Sequence, residues 1–285
     1  VGTIRQLNLR DGGKTILLTP NNRSLPQFRC PTESTLELMK KVAAESKQRA
    51  EDCYYTAHFV PGSWKANHRW PPCKGVKLLG GAFDVENEIQ ALLAEHDVDH
   101  GDHQADVLKS VDEAVHSGLC YENGDMEWKP TPEMYKGRRD YRSKRIFTID
   151  PTTAKDLDDA LHIEELQDGT LEVGVHIADV SFFVTPDTPV DEEAKYRTTT
   201  VYLVDRTVPM LPRALCEIAC SLNENVERLA FSCVWHMNKD GTMVKDKEVW
   251  YGRTVIKSCA RLDYATAQNI IEHKVAKRGC GGSDM

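Results

Sequence analysis

The stretch TIDPTTAKDLDDA, residues 148–160, places Asp150, Asp156, Asp158 and Asp159 within ten residues of one another. It completes RIFTID, a run that predicts a strand ending in acids. It leads into ALHIEEL and TLEVGVHIA, which predict a hairpin around Gln167-Asp168-Gly169. Four carboxylates this close repel unless they are protonated, solvated or held by a cation, and clustered carboxylate oxygens suit hard divalent ions such as Mg2+. The loop is therefore a candidate metal site, with an acidic turn in water as the alternative. Pro151 rigidifies it, and Ile149, Leu157, Leu161 and Ile163 anchor it in a core. A calcium loop of the EF-hand kind is excluded. Counted from Asp156, the sixth position is Leu161 where glycine is needed, and the twelfth is Gln167 where glutamate is needed.

Downstream, LAFSCVWHM and MVKDKEVWYGRTVI flank Lys239-Asp240-Gly241 and predict a second hairpin, while residues 215–222 and 264–273 have helical character. Upstream lies KGRRDYRSKR, residues 136–145, almost purely basic and accompanied by Tyr135 and Tyr141. It is either a solvated charge run or a neck that leads an anionic strand to the acids through phosphate attraction and stacking. On the second reading Arg138, Arg139 and Arg142 are its RNA contacts. Residues 118–137, rich in Gly, Pro and polar groups, predict a linker and a domain boundary near 138.

Further upstream, Val85, Ile89, Leu92 and Leu93 fall at helical spacing, and a second helix is predicted over 107–115, in a segment where ten acids face a single Lys109. Residues 1–82 carry short strand patterns, VGTIRQLNL, KTILLTP and CYYTAHFV, with a turn at Asp11-Gly12-Gly13. Leu36, Met39, Val42 and Ala43 predict an interrupting helix capped at Ser34 or Thr35, which suits a small OB-type barrel.

The 285 residues are 28% charged and 40% hydrophobic with net charge −8, the balance of a soluble globular chain. No run approaches the roughly 18 apolar residues of a membrane helix, and the first residues lack the apolar core of a signal peptide. Nine cysteines without a CxxC pair predict reduced thiols in a cytosolic or nuclear protein. EHDVDHGDH, residues 95–103, could hold a transition metal or be a solvated helix end. GGKT at residues 12–15 fails as a phosphate loop because Asn8 stands where the first glycine is required.

Beyond these local readings, TIDPTTAKDLDDA, LEVGVHIADVSFFV, YRTTTVYLV, VPMLPRALCE, CSLNENVERLAFSCVW and RLDYATAQ occur in order between residues 138 and 273. Together they resemble the amino-terminal half of the catalytic domain of the ribonuclease II (RNB) family. VGTIRQLN, LTPNNRSLP and ENEIQALLAEHDV resemble the second cold-shock barrel and helical connector of eukaryotic members. The resemblance implies an α+β chain in three parts: an OB-like cold-shock barrel over 1–82, a helical connector and linker over 83–137, and the first part of an RNB catalytic domain over 138–285.

It also implies processive, Mg2+-dependent 3'-to-5' hydrolysis of single-stranded RNA to nucleoside 5'-monophosphates in RNA decay, with Mn2+ able to substitute. TIDP and VPMLPRALCE look closer to the cytoplasmic, exosome-independent type. A cytoplasmic monomer acting on 3'-uridylated RNA is therefore expected. By the same resemblance Asp150 and Asp159 are metal ligands, Asp156 supports the metal cluster and catalysis, and Asp158 serves the chemical step. Tyr202, which spacing alone would equally place in a core, matches a base-stacking aromatic near the centre, and Tyr264 matches an RNA-contacting tyrosine further up the channel. The family's second half-domain, with its catalytic arginine and second stacking aromatic, its S1 barrel and its first cold-shock barrel are expected outside this chain. A catalytically inactive RNA-binding protein and an interaction module recruited through the acidic connector are the rival readings.

Overall fold

The computed structural model describes residues 1–8, 13–45, 48–122 and 125–272. They form two compact units, dividing between Gly101 and Asp102. In the first, β1 (Gly2–Asn8), β2 (Lys14–Pro20), β3 (Phe28–Cys30), β4 (Cys53–Phe59) and β5 (Cys73–Gly81) lie in the order β3-β2-β1-β4-β5. The named strand pairs are antiparallel. A parallel bridge from Arg29 to Pro72, with the Arg29 amide donating to the Pro71 carbonyl at 2.8 Å, joins the two outer strands and closes the barrel. Ile4, Ile16, Leu18, Cys30, Cys53, Tyr55 and Cys73 fill it.

The expected helix is α1 (Thr32–Glu45), whose Val42 joins this core. It starts ahead of the anticipated cap: Thr35 sits buried in the first turn and donates its hydroxyl to the Pro31 carbonyl at 2.6 Å. The α2 helix (Val85–Glu95) is capped by Asp84, whose carboxylate accepts from the Asn87 amide at 3.1 Å. Residues 11 and 12 of the anticipated Asp11-Gly12-Gly13 turn lie outside the described residues.

The second unit opens with α3 (Ala105–Val115) and a hairpin of β6 (Leu119–Glu122) and β7 (Asp125–Trp128). The strands β8 (Arg139–Asp140), β9 (Ile146–Asp150), β10 (Asp159–Glu165) and β11 (Leu171–Ala178) follow, then α4 (Pro189–Arg197), and the short pair β12 (Val201–Tyr202) and β13 (Thr207–Val208). A π-helical turn at Ala214–Ala219, β14 (Glu227–Met237), β15 (Trp250–Asp263) and α5 (Tyr264–Ile271) complete it. The main sheet runs β14-β11-β10-β9-β15-β8, and direct pairing of β14 with β15 closes its first five strands into a ring. The long β15 makes this possible: its first part pairs antiparallel with β14, and after an irregularity between Ser258 and Ala260 its end runs parallel to β9.

The expected β10–β11 hairpin forms, with Asp159 opposite Ile177 and Glu165 opposite Leu171. Its interior is partly polar. The His162 and His176 rings are hydrogen-bonded Nδ1 to Nε2 at 2.8 Å, His176 Nδ1 meets Ser232 Oγ at 2.7 Å, and Ser232 meets Thr254 at 2.6 Å. Gly174 is required there, since a Cβ would lie 2.2 Å from His162 Cε1.

Two expectations are corrected. Residues 118–137 are not merely a linker. Trp128 is fully buried, donates its indole N–H to the Val115 carbonyl at 3.0 Å and meets Phe183 edge-on at 5.0 Å. With Val107, Val111 and Val115 of α3 it belongs to the core that also holds Ile146 and Leu157, so these residues pack with the second unit and not as a separate connector. The apolar face of α3 finds its cover in residues far downstream, which local composition does not reveal. The second hairpin also starts later than MVKDKEV suggested: β15 begins at Trp250, and only a Met237–Met243 bridge precedes it. The Lys245–Glu248 run is polar throughout and Asp246 takes a left-handed backbone (φ 66°), neither of which suits a strand.

Candidate active site

The register Leu161 opposite Phe147 and His162 opposite Ile146 runs β9 and β10 antiparallel, so Asp150 at the end of one and Asp159 at the start of the other reach the same end of the ring. The connecting loop carries Asp156 and Asp158. Apolar burial of Leu157 between these two acids roots the loop in the core. Desolvation, and then the charges of Asp156, Asp159 and Asp150, hold the Asp158 carboxyl above the ordinary range. Asp150 is likewise raised, first by desolvation and with Asp159 and Asp156 adding to it, against the Thr148 hydroxyl and the charge of Arg261, which lower it. The four aspartates therefore share one electrostatic field. Asp150 Oδ2 and the Thr148 hydroxyl that interacts with this carboxylate are both buried without a hydrogen bond of full geometry among the described residues, which leaves the Asp150 oxygen available to a cation.

Tyr202 joins this group. Its hydroxyl donates to Asp156 Oδ2 at 3.0 Å, its ring is 67% exposed, and burial of the hydroxyl followed by the Asp156 contact pushes its pKa up to about 12. Cys216, on the π-helical turn, is pushed to about 12 by burial and then by Asp158 and Asp156. Tyr264 lies further round, exposed at the start of α5. Its neighbour Asp263 stands opposite Asp150 in register and caps the helix through the Thr266 amide at 2.8 Å.

The basic neck is used differently from expectation. Arg138 is not available to RNA: its side chain is 2% exposed and pairs with the equally buried Asp179 at 2.6 Å. Arg142 is divided between Asp140 and Glu227, at 2.6 and 2.9 Å, and the Arg139 guanidinium lies 3.8 Å from the Trp250 ring centroid. Tyr141 is buried against His162, His176 and Trp250, so it offers no stacking face. Of the neck's cations, Arg138 serves the interior, while Arg139 and Arg142 are engaged at the surface.

Residues 95–103 gather no metal-ligand group. Among the described residues, three candidate ligands come within 4.8 Å of one another only at Asp187, Asp191 and Glu192. The Lys195 ammonium stands there, 2.8 Å from Asp191 and 2.7 Å from Glu192, in place of an ion. The aspartate quartet is spread more widely than one such group.

Sequence reasoning missed the residues that hold the aspartate loop. Ser221 Oγ accepts from the Leu157 amide at 3.1 Å and donates to the Lys155 carbonyl at 2.9 Å, and the Leu222 amide donates to the Leu157 carbonyl at 2.9 Å. Arg261 Nη2 donates to the carbonyls of Thr152 and Ala154. No periodicity marks either residue. In the first unit, Lys14, Arg29, His68, Arg69 and Trp70 line a cavity of about 490 Å³ with no acid in its wall.

An acidic site at strand ends and an OB-type barrel thus occur in one chain, and OB-type barrels bind oligonucleotides among other ligands. The family model of the RNB domain matches residues 138–279 and that of Dis3-like cold-shock domain 2 (CSD2) matches 15–97, and the chain belongs to the RNB family. The DIS3-like exonuclease 2 of Schizosaccharomyces pombe is 46% identical over 258 residues, 90% of this chain and 26% of the relative. RNase R of Mycoplasma genitalium, solved with ribose-methylated single-stranded RNA, superposes with TM-score 0.71 at 21% identity over 98% of this chain and 39% of its own. Yeast Ssd1, described as a pseudonuclease, has TM-score 0.69 at 21% identity, over 98% of this chain and 32% of its own. The chain spans about a quarter of the length of the curated relatives it matches.

Proposed function

We propose that the protein carrying this chain is a Mg2+-dependent 3'-to-5' exoribonuclease that degrades single-stranded RNA, including 3'-uridylated RNA, to nucleoside 5'-monophosphates in cytoplasmic RNA decay, acting as a monomer. The observation that carries this reading is the shared field of Asp150, Asp156, Asp158 and Asp159 at one end of the ring, with the Tyr202 hydroxyl on Asp156. The exonuclease relatives support it.

Asp150, Asp156 and Asp159 would hold the divalent ion. The donor set fits: all are carboxylates, two of them at strand ends, and a buried Asp150 oxygen is available to a cation. When bound, such ions lower the pKa of the attacking water and stabilise charge on the phosphate. Attack by the water oxygen on the terminal phosphorus breaks the P–O3' bond, leaving a 3'-hydroxyl on the shortened RNA and a nucleoside 5'-monophosphate. Asp158 faces the same centre and serves this step. Tyr202, held by Asp156 with its ring exposed, offers the terminal base a stacking face beside the acids, and Tyr264 offers one further along. Lys14, Arg29 and Arg69, which line the cavity of the first barrel, suit the phosphates of an incoming strand.

The full-length protein incubated with 5'-labelled RNA and Mg2+ is expected to give a ladder shortening from the 3' end, and Asp158→Asn to abolish it with RNA binding retained. Intact RNA with undiminished binding by the unaltered protein refutes the catalytic reading. It would favour the second reading, an RNA-binding pseudonuclease, which the likeness to Ssd1 supports.

A further inference from the structure

The aspartate loop is tied to the rest of the second unit at both flanks, by residues distant in sequence. On one side Ser221 Oγ bridges the Leu157 amide and the Lys155 carbonyl, spanning Asp156. On the other, Arg261 of β15 reaches the carbonyls of Thr152 and Ala154, in the segment between Asp150 and Asp156. Ser221 is itself immobilised. It is fully buried, and its carbonyl accepts from Arg228 Nε at 2.8 Å. The Arg228 guanidinium, also buried, donates in addition to the carbonyls of Ile218 at 2.8 Å and Trp128 at 2.7 Å. These contacts hold backbone, not carboxylate. Their effect is to fix where Asp156 and Asp158 stand relative to the strand-borne Asp150 and Asp159.

We propose that Ser221 and Arg261 are positioning residues that set the spacing of the carboxylates for metal binding, with Arg228 locking Ser221 in place. The inference rests on the metal-site reading above. Four mutually repelling acids on a loop spread apart unless the backbone is restrained, and a site spread in this way loses ion affinity even with every ligand present. Residues that orient metal ligands without touching the metal typically contribute about 10- to 100-fold in affinity.

The test is Mn2+ binding to the full-length protein that carries this chain, followed by the loss of the free-ion electron paramagnetic resonance signal, for the unaltered protein, Arg261→Gln, Ser221→Ala and Asp159→Asn. Arg261 is exposed, so its replacement spares the core, and Ser221 is uncharged, so its replacement leaves the field of the site intact. Both variants are expected to bind Mn2+ about 10-fold more weakly, with faster amide exchange across residues 152–158 and an unchanged far-ultraviolet circular dichroism spectrum. Asp159→Asn, which removes a ligand, reports the full loss. Unchanged affinity in both positioning variants, beside weakened binding in Asp159→Asn, overturns the clamp and leaves the metal site standing. An effect of Arg261→Gln alone assigns its action to charge and overturns the clamp as well. No Mn2+ binding by the unaltered protein overturns both proposals.

Discussion

Replacing Arg138 by methionine leaves Asp179 as a buried carboxylate without its main partner. Arg138 Nη2 stands 2.6 Å from Asp179 Oδ2, with the side chains 2% and 1% exposed, and its remaining donors serve the carbonyls of Met134 at 3.0 Å, Thr254 at 3.3 Å and Ala230 at 3.4 Å. Among the described residues the Asp179 carboxylate then keeps Ser181 Oγ at 2.9 Å and the more distant Arg253 at 3.7 Å. Breaking one side of such a pair costs about 3–5 kcal/mol. At about 2–4 °C per kcal/mol for a unit of this size, Tm is expected to fall by roughly 6–20 °C. The double variant Arg138→Met/Asp179→Leu removes both charges and is expected to recover most of that loss. Thermal denaturation gives the first arm. The second is RNA binding against salt, where a lost phosphate contact would lower the log-log slope by about 0.7 and none is expected. A Tm within 2 °C of the unaltered chain, or a reduced salt slope, refutes the assignment of Arg138 to the core.

The buried histidine pair predicts a pH dependence. Burial, and then the neighbouring His162, depress His176 from 6.5 to about 3, so between these values the unfolded chain binds the extra proton. Stability from this group is full above pH 6.5 and is lost on acidification, by about 2 kcal/mol between pH 7 and pH 5. Urea unfolding of the unaltered chain and His176→Gln at both pH values checks this, and equal slopes in the two would refute it. For Tyr202, the phenylalanine variant loses the bond to Asp156 but keeps the ring, and is expected to bind RNA as the parent does. Tyr202→Ala is expected to lose about 1–3 kcal/mol in fluorescence-anisotropy titrations. Equal affinity of the Phe and Ala variants would exclude stacking.

The chemistry of this chain is concentrated in a few short-range patterns. Strand, acid loop and hairpin around residues 146–178 were legible because a turn at Asp168-Gly169 and four nearby aspartates are local features, but the inward face was not: Ile163, expected in the core, is exposed, and His162 and His176 are buried in its stead. The first barrel was legible for the same reason. Tyr202 was ambiguous by spacing, since an apolar strand suits a core ring as well as an exposed one. The family resemblance set it near the acids, and the structure brings its hydroxyl to Asp156.

What the amino-acid order determined by itself was thus the kind of chemistry available and the elements that bear it. Tertiary structure alone decided how charge is spent. Arg138 and Arg142 look alike in a basic run. One is drawn into the core because Asp179 and three carbonyls meet it there, while the other is shared between Asp140 and Glu227 at the surface. Trp128 likewise leaves a polar segment to be buried against α3, and Ser221 and Arg261 come to grip a loop more than 60 residues away. A buried polar group must find its partner wherever the fold brings one, and that partner need leave no mark in the sequence around it.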